Sequence, residues 1–470
     1  MVDVVDDTLK WCSVAVKEVI DRGYRLEASV YDVDAKSARE SIYNGKYPVV
    51  SLCGDKGLCD AYTRGRFRRI WLKRSKYPIY QPSTIGDVYP KPDGYLSKET
   101  NVDMDSLRVH KGQILLTCSG TIGNVGLVAD ALDNQIFSHD LLRITCKNAD
   151  DIGYVYSYLK SRIGNRILCT NSYGSVITHI EASHLESVPI PNAPKDIKKR
   201  INDLINKSYA LRDQSNKLID EAEEILVQEL CLPSEELLDI NDKRDAFSIQ
   251  LSRMNYRLDG SYHLPVVDYL NECLRKKAEK VVRLGDNTIT KEIILAPRFK
   301  RVYVEEGHGR VFIGGKEIYQ LDPNNKKYLS SVNHKELIKD KLEIHENMTL
   351  ITCSGTIGKV AFVGKHWEGW TVNQHVLRIV PANEDLAGYL YIFLQSKYGY
   401  YLITKYTYGS VIDEIDDNQI GEIPIPILKD EKKQKEINDL AIEANQKRYQ
   451  AYVCEKEALS IMEKEVLGCK

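Results

Sequence analysis

The sequence lacks most features of secreted, membrane-bound and metal-binding proteins. Its eleven cysteines are odd in number and form no Cys-x-x-Cys pair, which favours reduced thiols over disulfides or a zinc site. No apolar run approaches the ~20 residues of a membrane span, and the N-terminus lacks the apolar core of a signal peptide. The chain has 470 residues. These absences predict that it is cytoplasmic, that it has no membrane partner and that it holds no metal ion.

Catalytic signatures are equally scarce. The sequence has no Rossmann Gly-x-Gly-x-x-Gly, no P-loop ending in Lys-Ser/Thr, no Asn-Pro-Pro-Tyr of the methyltransferase kind and no His-Glu-x-x-His. We therefore expect no cofactor and no catalytic residue on this chain. The net charge of −2 also argues against a uniformly basic nucleic-acid binder, although basic patches can still occur locally.

What the sequence does contain is an internal duplication. The heptapeptide Thr-Cys-Ser-Gly-Thr-Ile-Gly at 117–123 recurs unchanged at 352–358, which is 235 positions further on. A period this long indicates a duplicated domain, because the units of solenoids are far shorter. The same offset relates Leu-Arg-Ile at 142–144 and 377–379, Tyr-Gly-Ser-Val at 173–176 and 408–411, and Pro-Ile-Pro at 189–191 and 424–426.

Each copy combines a β-rich part with a long helix. The apolar residues and glycines of 113–128 predict a strand, a tight turn and a second strand, whereas the Pro- and Gly-rich segment 77–94 predicts a loop. Residues 195–230 contain neither Gly nor Pro, and 430–466 repeat their pattern. Apolar or small residues recur there at spacings of three and four, as in a coiled coil. In the first helix these are Ile197, Ile201, Leu204, Ser208, Leu211, Ser215, Leu218, Ala222 and Ile225.

The predicted fold class is therefore α/β (α+β). We expect two homologous domains with twisted β-sheets, separated by two long antiparallel coiled-coil helices. The predicted boundaries are 1–194 for the first domain, 195–231 for the first helix, 232–429 for the second domain and 430–470 for the second helix.

The strongest functional signal is a basic stretch at 64–76. It holds seven basic residues and no acid, with Phe67 and Trp71 between them. A solvated surface would explain the charge alone, but the mixture with aromatic residues fits phosphate contact and groove insertion better. Arginine is also the side chain best suited to bidentate reading of guanine. The equivalent stretch of the second copy begins at Arg298 and is also basic, but it carries Glu305 and Glu306.

The shared turns have two interpretations. The Cys-Ser-Gly-Thr-Ile-Gly turn either connects buried strands, or it also brings Ser119 and Thr121 to a DNA backbone, and the segment starting at Tyr173 has the same two interpretations. Candidate DNA-binding residues of the first copy are Arg64, Arg66, Arg68, Arg69, Lys73, Arg74, Lys76, Ser119, Thr121 and Tyr173. Those of the second copy are Arg298, Lys300, Arg301, Arg310, Lys316, Ser354, Thr356 and Tyr408.

One apparent catalytic group fails an internal comparison. Ser138-His139-Asp140 suggests a hydrolase, but Asn373-Gln374-His375 occupies the equivalent position of the second copy. A nucleophile, a base and an orienting acid are therefore not retained. We expect no hydrolytic role for these three residues.

In the order and the doubling of these elements, the chain resembles the specificity subunit of type I restriction–modification systems over its whole length. The Ser-Gly-Thr-Ile-Gly turn, the Tyr-Gly-Ser-Val-Ile segment and the Pro-Ile-Pro run before each helix are similar to the recurrent framework of that family. The resemblance implies two target-recognition domains on double-stranded DNA, in a complex with two modification (methyltransferase) subunits and usually two restriction subunits. It implies that the chain is not an enzyme by itself, and that S-adenosylmethionine, ATP and Mg²⁺ belong to the partner subunits.

Reasoning from the residues leads to the same role. Two homologous but non-identical domains, held apart by a helix pair, would read two different short DNA sequences at a fixed gap. A two-domain protein-binding scaffold remains an alternative, since the net charge is near zero, and a stand-alone nuclease with an unrecognised active site is another. Salt-dependent DNA binding without activity of the pure chain would distinguish the three.

Overall fold

The computed structural model describes residues 12–21, 24–170, 172, 178–234, 236–238, 246–324, 326–409 and 411–469. It divides into two compact units, one formed by Met1–Asp213 with Ala451–Lys470 and the other by Gln214–Gln450. Each long helix therefore contributes one end to each unit. Among the described helices, none combines the length and apolarity needed to cross a membrane.

The described residues of the first unit form three sheets. The strands are β1 Val49–Ser51, β2 Cys59–Tyr62, β3 Trp71–Leu72, β4 Pro78–Tyr80, β5 Gly94–Leu96, β6 Ile114–Thr117, β7 Val125–Leu127, β8 Ile136–Phe137, β9 Leu141–Cys146 and β10 Pro189–Pro191. An antiparallel sheet has the order β2-β9-β6-β7, and a mixed sheet has the order β3-β5-β4-β8 with β4 and β8 parallel. A third sheet pairs β1 with β10. The helices are α1 Val16–Asp21, α2 Val33–Tyr43, α3 Ile152–Lys160, α4 Arg162–Cys169 and α5 Lys195–Glu229.

The second unit repeats this topology strand for strand. Its strands are β11 Lys280–Arg283, β12 Thr290–Ile294, β13 Tyr303–Val304, β14 Gly309–Ile313, β15 Lys327–Ser330, β16 Thr349–Thr352, β17 Val360–Phe362, β18 Thr371–Val372, β19 Val376–Pro381 and β20 Pro424–Ile427. Their orders are β12-β19-β16-β17, β13-β15-β14-β18 and β11-β20. The helices are α6 Pro265–Lys277, α7 Lys335–Leu337, α8 Glu384–Gln395, α9 Lys397–Thr404, α10 Asp417–Gly421 and α11 Glu431–Ile461, which a π turn extends over Met462–Val466. The duplication predicted from the sequence is thus also a duplication of the fold.

The core of the first unit lies between a sheet and helices. All four residues of β6 are buried, as expected for an inner strand with both faces covered. Helix α3 is buried along almost its whole length. Ile201 and Ile205 of α5 belong to the same apolar cluster, together with Ala458 and Met462 from the end of the second long helix. The last segment of the chain therefore completes the core of the first unit.

The long helices run antiparallel within the first unit. Arg200 Nη1 pairs with Glu465 Oε2 at 3.0 Å, and Ser208 Oγ donates to the Ala451 carbonyl at 2.8 Å. Ser208 is fully buried at this contact, where a small residue lets the two helices approach closely.

The buried face of α5 is wider than the predicted coiled-coil stripe. Leu204 and Leu218 of the predicted set are only half-buried, whereas Ile205 and Ile219, one position further on, are fully buried. The helix has this second buried row because it packs against the domain as well as against a helix.

The prediction of an uninterrupted loop over 77–94 was wrong. Residues Pro78–Tyr80 form β4, which pairs with β5 on one side and with β8 on the other. The proline at the start of β4 is tolerated because the first residue of a strand can lack a ladder hydrogen bond. Sequence reasoning gave too much weight to the surrounding prolines and glycines.

Candidate nucleic-acid interface

The basic stretch at 64–76 lies on the surface of the first unit, at the edge of a sheet. Its only regular element is β3, the outermost strand of the β3-β5-β4-β8 order. The side chains of Ile70, Trp71 and Leu72 are 40%, 48% and 46% exposed, although they are apolar. The exposed basic residues of the stretch are Arg66, Arg68, Lys73, Arg74 and Lys76.

Two further arginines of the stretch are held by the protein. The Arg64 guanidinium lies over the Tyr62 ring, 4.7 Å from its centroid. Arg69 Nη2 donates to Ser138 Oγ at 2.8 Å and lies 3.6 Å from Asp140 Oδ2. These contacts fix the path of the backbone, so that the exposed basic residues are presented by an anchored segment.

The group Ser138-His139-Asp140 thus has a structural contact with the basic stretch. His139 Nε2 lies 3.4 Å from Asp140 Oδ1, and its ring packs edge-on against Phe67. Burial lowers the pKa of His139, and the neighbouring cations Arg69 and Arg66 lower it further, while Asp140 acts in the opposite direction. In the second unit Arg301 Nη2 donates to Gln374 Oε1 at 2.8 Å, which is the equivalent anchor. The sequence comparison did not reveal this role.

The second copy presents its basic residues differently. Arg298 Nη2 lies 3.2 Å from Glu414 Oε1, and Arg310 Nη2 lies 3.8 Å from Glu343 Oε1. Such exposed pairs contribute little stability, but they reduce the local positive potential. Lys300 and Lys316 are exposed, the latter in the turn after β14.

The shared turn, at 117–123 and 352–358, is held by backbone conformation and by backbone hydrogen bonds. Gly120 and Gly355 have φ of +71° and +76°, which side chains other than glycine rarely adopt. The Gly120 amide donates to the Thr178 carbonyl at 3.1 Å, and the Gly355 amide donates to the Asp413 carbonyl at 2.9 Å. These amides are therefore occupied within the protein, which supports the structural interpretation of the turn.

The side chains proposed to reach DNA from this turn differ in exposure. Thr121 and Thr356 are exposed, whereas Ser119 and Ser354 are half-buried. Tyr408 is 43% exposed and, with Thr356, lines a cleft of about 820 Å³ in the second unit. Tyr173 lies outside the described residues. Within the described ranges, no group of His, Cys, Asp and Glu side chains is placed to hold a metal ion.

Two fully buried arginines are part of this framework, and sequence reasoning missed their role. Arg143 Nη2 donates to the carbonyls of Leu107, Phe137 and Ser138 at 3.2–3.4 Å. Its counterpart Arg378 donates to the Ile294 carbonyl at 3.2 Å. Burial lowers the pKa of both guanidinium groups to about 10, so both stay charged near neutral pH. Arg143 connects β9 of one sheet with β8 of the other and so supports the loop that anchors Arg69. The repeated Leu-Arg-Ile segment was the signal that could have indicated it.

Two copies of one sheet domain, each followed by a long helix, define a tandem-domain protein with a basic sheet edge in its first copy. The family model "Type I restriction modification DNA specificity domain" matches residues 57–224 and 301–440. The chain therefore belongs to the family of type I restriction–modification DNA specificity proteins.

Solved structures of low sequence identity are similar to this chain. The type I restriction–modification S subunit from M. genitalium is 16% identical, with 90% of this chain and 96% of that chain covered and a TM-score of 0.32. The HsdS subunit from Thermoanaerobacter tengcongensis is 14% identical, with coverage of 89% and 99% and a TM-score of 0.28. A chain from a study of type I R-M complex assembly and conformational transition is 15% identical, with coverage of 89% and 98% and a TM-score of 0.27. No curated protein sequence matches significantly.

Proposed function

We propose that this chain reads a bipartite target on double-stranded DNA, with one domain for each half-site, and docks two methyltransferase subunits. The observation that carries the proposal is that the specificity domain occurs twice in one chain. The two copies share their strand order and their turns, yet their basic surfaces differ. A shared framework with different contact surfaces is what two domains reading two different sequences require.

The first domain contacts DNA through the exposed residues of the basic stretch. Their charges attract phosphates, and arginine side chains that enter the major groove can pair with guanine edges. The exposed Trp71 and its apolar neighbours fit contact with sugars and base edges better than free exposure to water. In the second domain Arg298 and Arg310 are close to carboxylates, so those arginines must exchange partners when they bind phosphate.

The chemistry belongs to other subunits in this proposal. The chain itself neither methylates nor cleaves DNA, and S-adenosylmethionine, ATP and Mg²⁺ bind to the modification and restriction subunits of a cytoplasmic complex. The long helices and the shared turns provide equivalent docking surfaces for two copies of one partner. The duplicated turn sequences support this point, because an identical partner favours identical contacts.

The test is co-expression of the chain with a methyltransferase subunit encoded beside it, followed by sequencing of the methylated genome. We expect one methylated motif with two specific parts and a fixed unspecific gap. Replacing residues 25–194 by the equivalent segment of a relative should change one part only, and replacing 257–429 should change only the other part. A chain that methylates or cleaves DNA without partners, or an exchange that changes both parts, would contradict the proposal.

A protein-binding scaffold is the second candidate, and the carboxylates beside Arg298 and Arg310 favour it. The two functions differ in their dependence on salt. Binding of the assembled complex to DNA should weaken steeply as salt rises, and the logarithmic slope should fall by roughly one unit for each basic side chain that no longer neutralises a phosphate. A scaffold without DNA recognition would show no such binding.

A further inference from the structure

A buried carboxylate lies where the end of the second long helix packs into the first unit. Glu455 is 2% exposed. Its Oε1 accepts hydrogen bonds from Tyr156 Oη at 2.5 Å and from Lys160 Nζ at 2.6 Å. Its Oε2 accepts a hydrogen bond from Arg212 Nη2 at 2.6 Å. We call these four residues the Glu455 cluster.

The Glu455 cluster joins three helices through charges that have little access to water. Tyr156 and Lys160 belong to α3, Arg212 belongs to α5, and Glu455 belongs to the second long helix. The side chains of Lys160 and Arg212 are only 10% and 7% exposed. Burial would raise the pKa of Glu455, but Lys160 and Arg212 outweigh it and hold the pKa below its ordinary value. The carboxylate is therefore ionised and satisfies two buried cations.

The second unit has no such cluster at the equivalent place among its described residues. Helix positions in the two repeats differ by 236, so Ile219 of the first long helix is equivalent to Glu455 of the second. Ile219 is fully buried. The residues equivalent to Tyr156, Lys160 and Arg212 are Tyr391, Gln395 and Arg448.

Contacts in the second unit are neutral or involve a different carboxylate. Arg448 donates to Tyr391 Oη and to Ser215 Oγ, both at 3.4 Å. Gln395 Nε2 donates to Glu223 Oε2 at 2.9 Å. The requirement for a carboxylate at this helix position is thus specific to the first unit.

We infer that the Glu455 cluster makes the first unit accept the end of the second long helix and reject the equivalent end of the first long helix from another copy of this chain. The ends of the two long helices can compete for this place in the first unit, because both helices carry the same pattern of buried residues. We call it first-with-first pairing when the first unit of one copy receives the end of the first long helix of another copy. In this pairing Ile219 of the other copy would take the place of Glu455. Arg212 would then be buried without a carboxylate, which is strongly unfavourable, whereas Lys160 would meet Glu223 of the other copy, as Gln395 does in the second unit.

The rejected partner is therefore a second copy of this chain. The consequence for DNA rests on the proposed function: pairing of two first repeats would place two identical recognition domains in one complex and abolish the bipartite target. The pairing preference itself does not depend on that function. It can be measured on the purified full-length chain without DNA or a methyltransferase.

The test moves the carboxylate to the other helix. In the full-length double variant Ile219→Glu/Glu455→Ile, first-with-first pairing supplies Lys160 and Arg212 with a carboxylate, and the native pairing does not. Co-expression of two differently tagged copies, followed by purification on one tag, should recover both copies of this variant. Light scattering should give about twice the mass of one chain. The wild-type copies should not purify together.

Two single variants are the matched controls. Glu455→Ile should lower the thermal midpoint and let the two tagged copies purify together only in part, since neither pairing then supplies Arg212 with a carboxylate and the preference is lost. Ile219→Glu supplies a carboxylate in both pairings, so its tagged copies should also purify together only in part. Co-purification of wild-type copies, co-purification with Glu455→Ile equal to that of the double variant, or a double variant with wild-type mass and midpoint would overturn the inference.

A charge-free variant decides the question if the double variant does not fold. Lys160→Gln/Arg212→Leu/Glu455→Ile leaves no buried ion in the cluster, and apolar replacement of buried ions usually preserves stability. We expect this variant to fold and its two tagged copies to purify together in part, because the charge preference is gone. Complete separation of the folded variant's copies would show that the cluster does not select the helix.

Discussion

At the scale of single residues, the exposed side chains of the basic stretch carry the DNA contact that we propose for the first domain. Replacing Arg66, Arg68 and Lys73 by glutamine should weaken binding of the assembled complex to DNA. The slope of affinity against salt should fall by roughly 1 for each phosphate that is no longer neutralised, and removal of a side chain that reads a base should cost roughly 1–3 kcal/mol. Fluorescence anisotropy over a series of salt concentrations measures both quantities.

The matched control changes basic residues of the same unit that lie outside the stretch. Lys46 and Lys56 are exposed, and their replacement by glutamine removes charge without touching the proposed contact surface. Affinity and salt slope should then stay close to those of the wild type. Equal losses in both variants would mean that only the overall charge matters.

A half-buried histidine gives the second unit a pH-dependent stability. His366 Nε2 lies 3.0 Å from the Leu321 carbonyl, which can only accept, so this nitrogen carries a proton in the neutral ring. Burial lowers the pKa of His366 to about 4. Because the unfolded pKa is near 6.5, the unfolded state takes up a proton first as the pH falls, and stability is lost between about pH 6.5 and pH 4.

We expect His366 to account for a loss of about 3 kcal/mol in unfolding free energy over that interval, at ~1.4 kcal/mol per pKa unit. Urea denaturation at pH 7, 5.5 and 4.5 measures it. His366→Gln keeps a donor to the carbonyl and should flatten the pH dependence, whereas the exposed His308→Gln should not alter it. Parallel pH profiles of the wild type and His366→Gln would contradict the assignment.

The sequence identified the basic stretch but not the residues that support it. A run of charges is visible in the one-dimensional sequence, whereas the contact of Arg69 with Ser138 joins residues that are distant along the chain. Arg143 was hidden for a related reason, since an arginine inside a strand is normally expected at the surface. Its repetition in Leu-Arg-Ile shows that a duplicated polar residue in an apolar strand can indicate a buried framework contact.

At the scale of elements, two equivalent asparagines connect the long helices with their domains. Asn202 Oδ1 accepts a hydrogen bond from the Gly153 amide at 2.8 Å, and Asn438 Oδ1 accepts one from the Gly388 amide at 2.8 Å. Glycine is required at both positions, because a Cβ at Gly153 would lie 2.6 Å from Asn202 Cα and a Cβ at Gly388 would lie 2.4 Å from the Asn438 carbonyl oxygen. The contact therefore allows two helices to approach closely and satisfies a buried amide.

Asn202→Ala should destabilise the first unit by about 1–3 kcal/mol, because the Gly153 amide would be left buried without an acceptor. Chemical denaturation measures the change. Asn206 is exposed on the same helix, and Asn206→Ala is the control for helix propensity, with a change expected within about 0.5 kcal/mol. Similar losses in the two variants would show that the hydrogen bond contributes nothing specific.

Elements with a clear pattern were predicted well, including the strand, turn and strand of 113–128, whereas the short strand β4 was not. Helix α5 occupies Lys195–Glu229 where residues 195–230 were predicted, because 35 residues without Gly or Pro leave little alternative. The strand β4 was missed because three residues carry too little pattern to outweigh nearby prolines. The width of the buried face of α5 depends on tertiary packing, so no helical period could supply it.

At the scale of the whole molecule, the duplication was visible in the sequence, but the composition of the compact units was not. The end of the second long helix belongs to the first unit although more than 200 residues separate it from the rest of that unit. The apolar pattern of 451–470 does not specify that destination, because the first long helix repeats the same pattern. The Glu455 cluster is the feature that distinguishes the two destinations.

The gap between half-sites provides the test of how the two domains work together. We expect the long helices to set this gap in the assembled complex. One additional heptad between Asp213 and Gln214, matched by another between Gln450 and Ala451, leaves the helix contacts inside each unit unchanged. Each insertion adds about 10 Å, at ~1.5 Å per residue, and nearly preserves the face of the helix.

Along B-DNA that length corresponds to about three base pairs, at ~3.4 Å each. Three base pairs also rotate the groove by about 100°, at ~10.5 base pairs per turn, and the domains must follow this rotation. We therefore expect a methylated motif with both half-sites unchanged and a gap longer by one to about three base pairs, or no methylation if the rotation cannot be met. Insertion of seven residues in the segment 246–250, outside the helices, is the control and should keep the original gap. A doubly extended chain that still methylates the original motif at the original gap would show that the helices do not set the spacing.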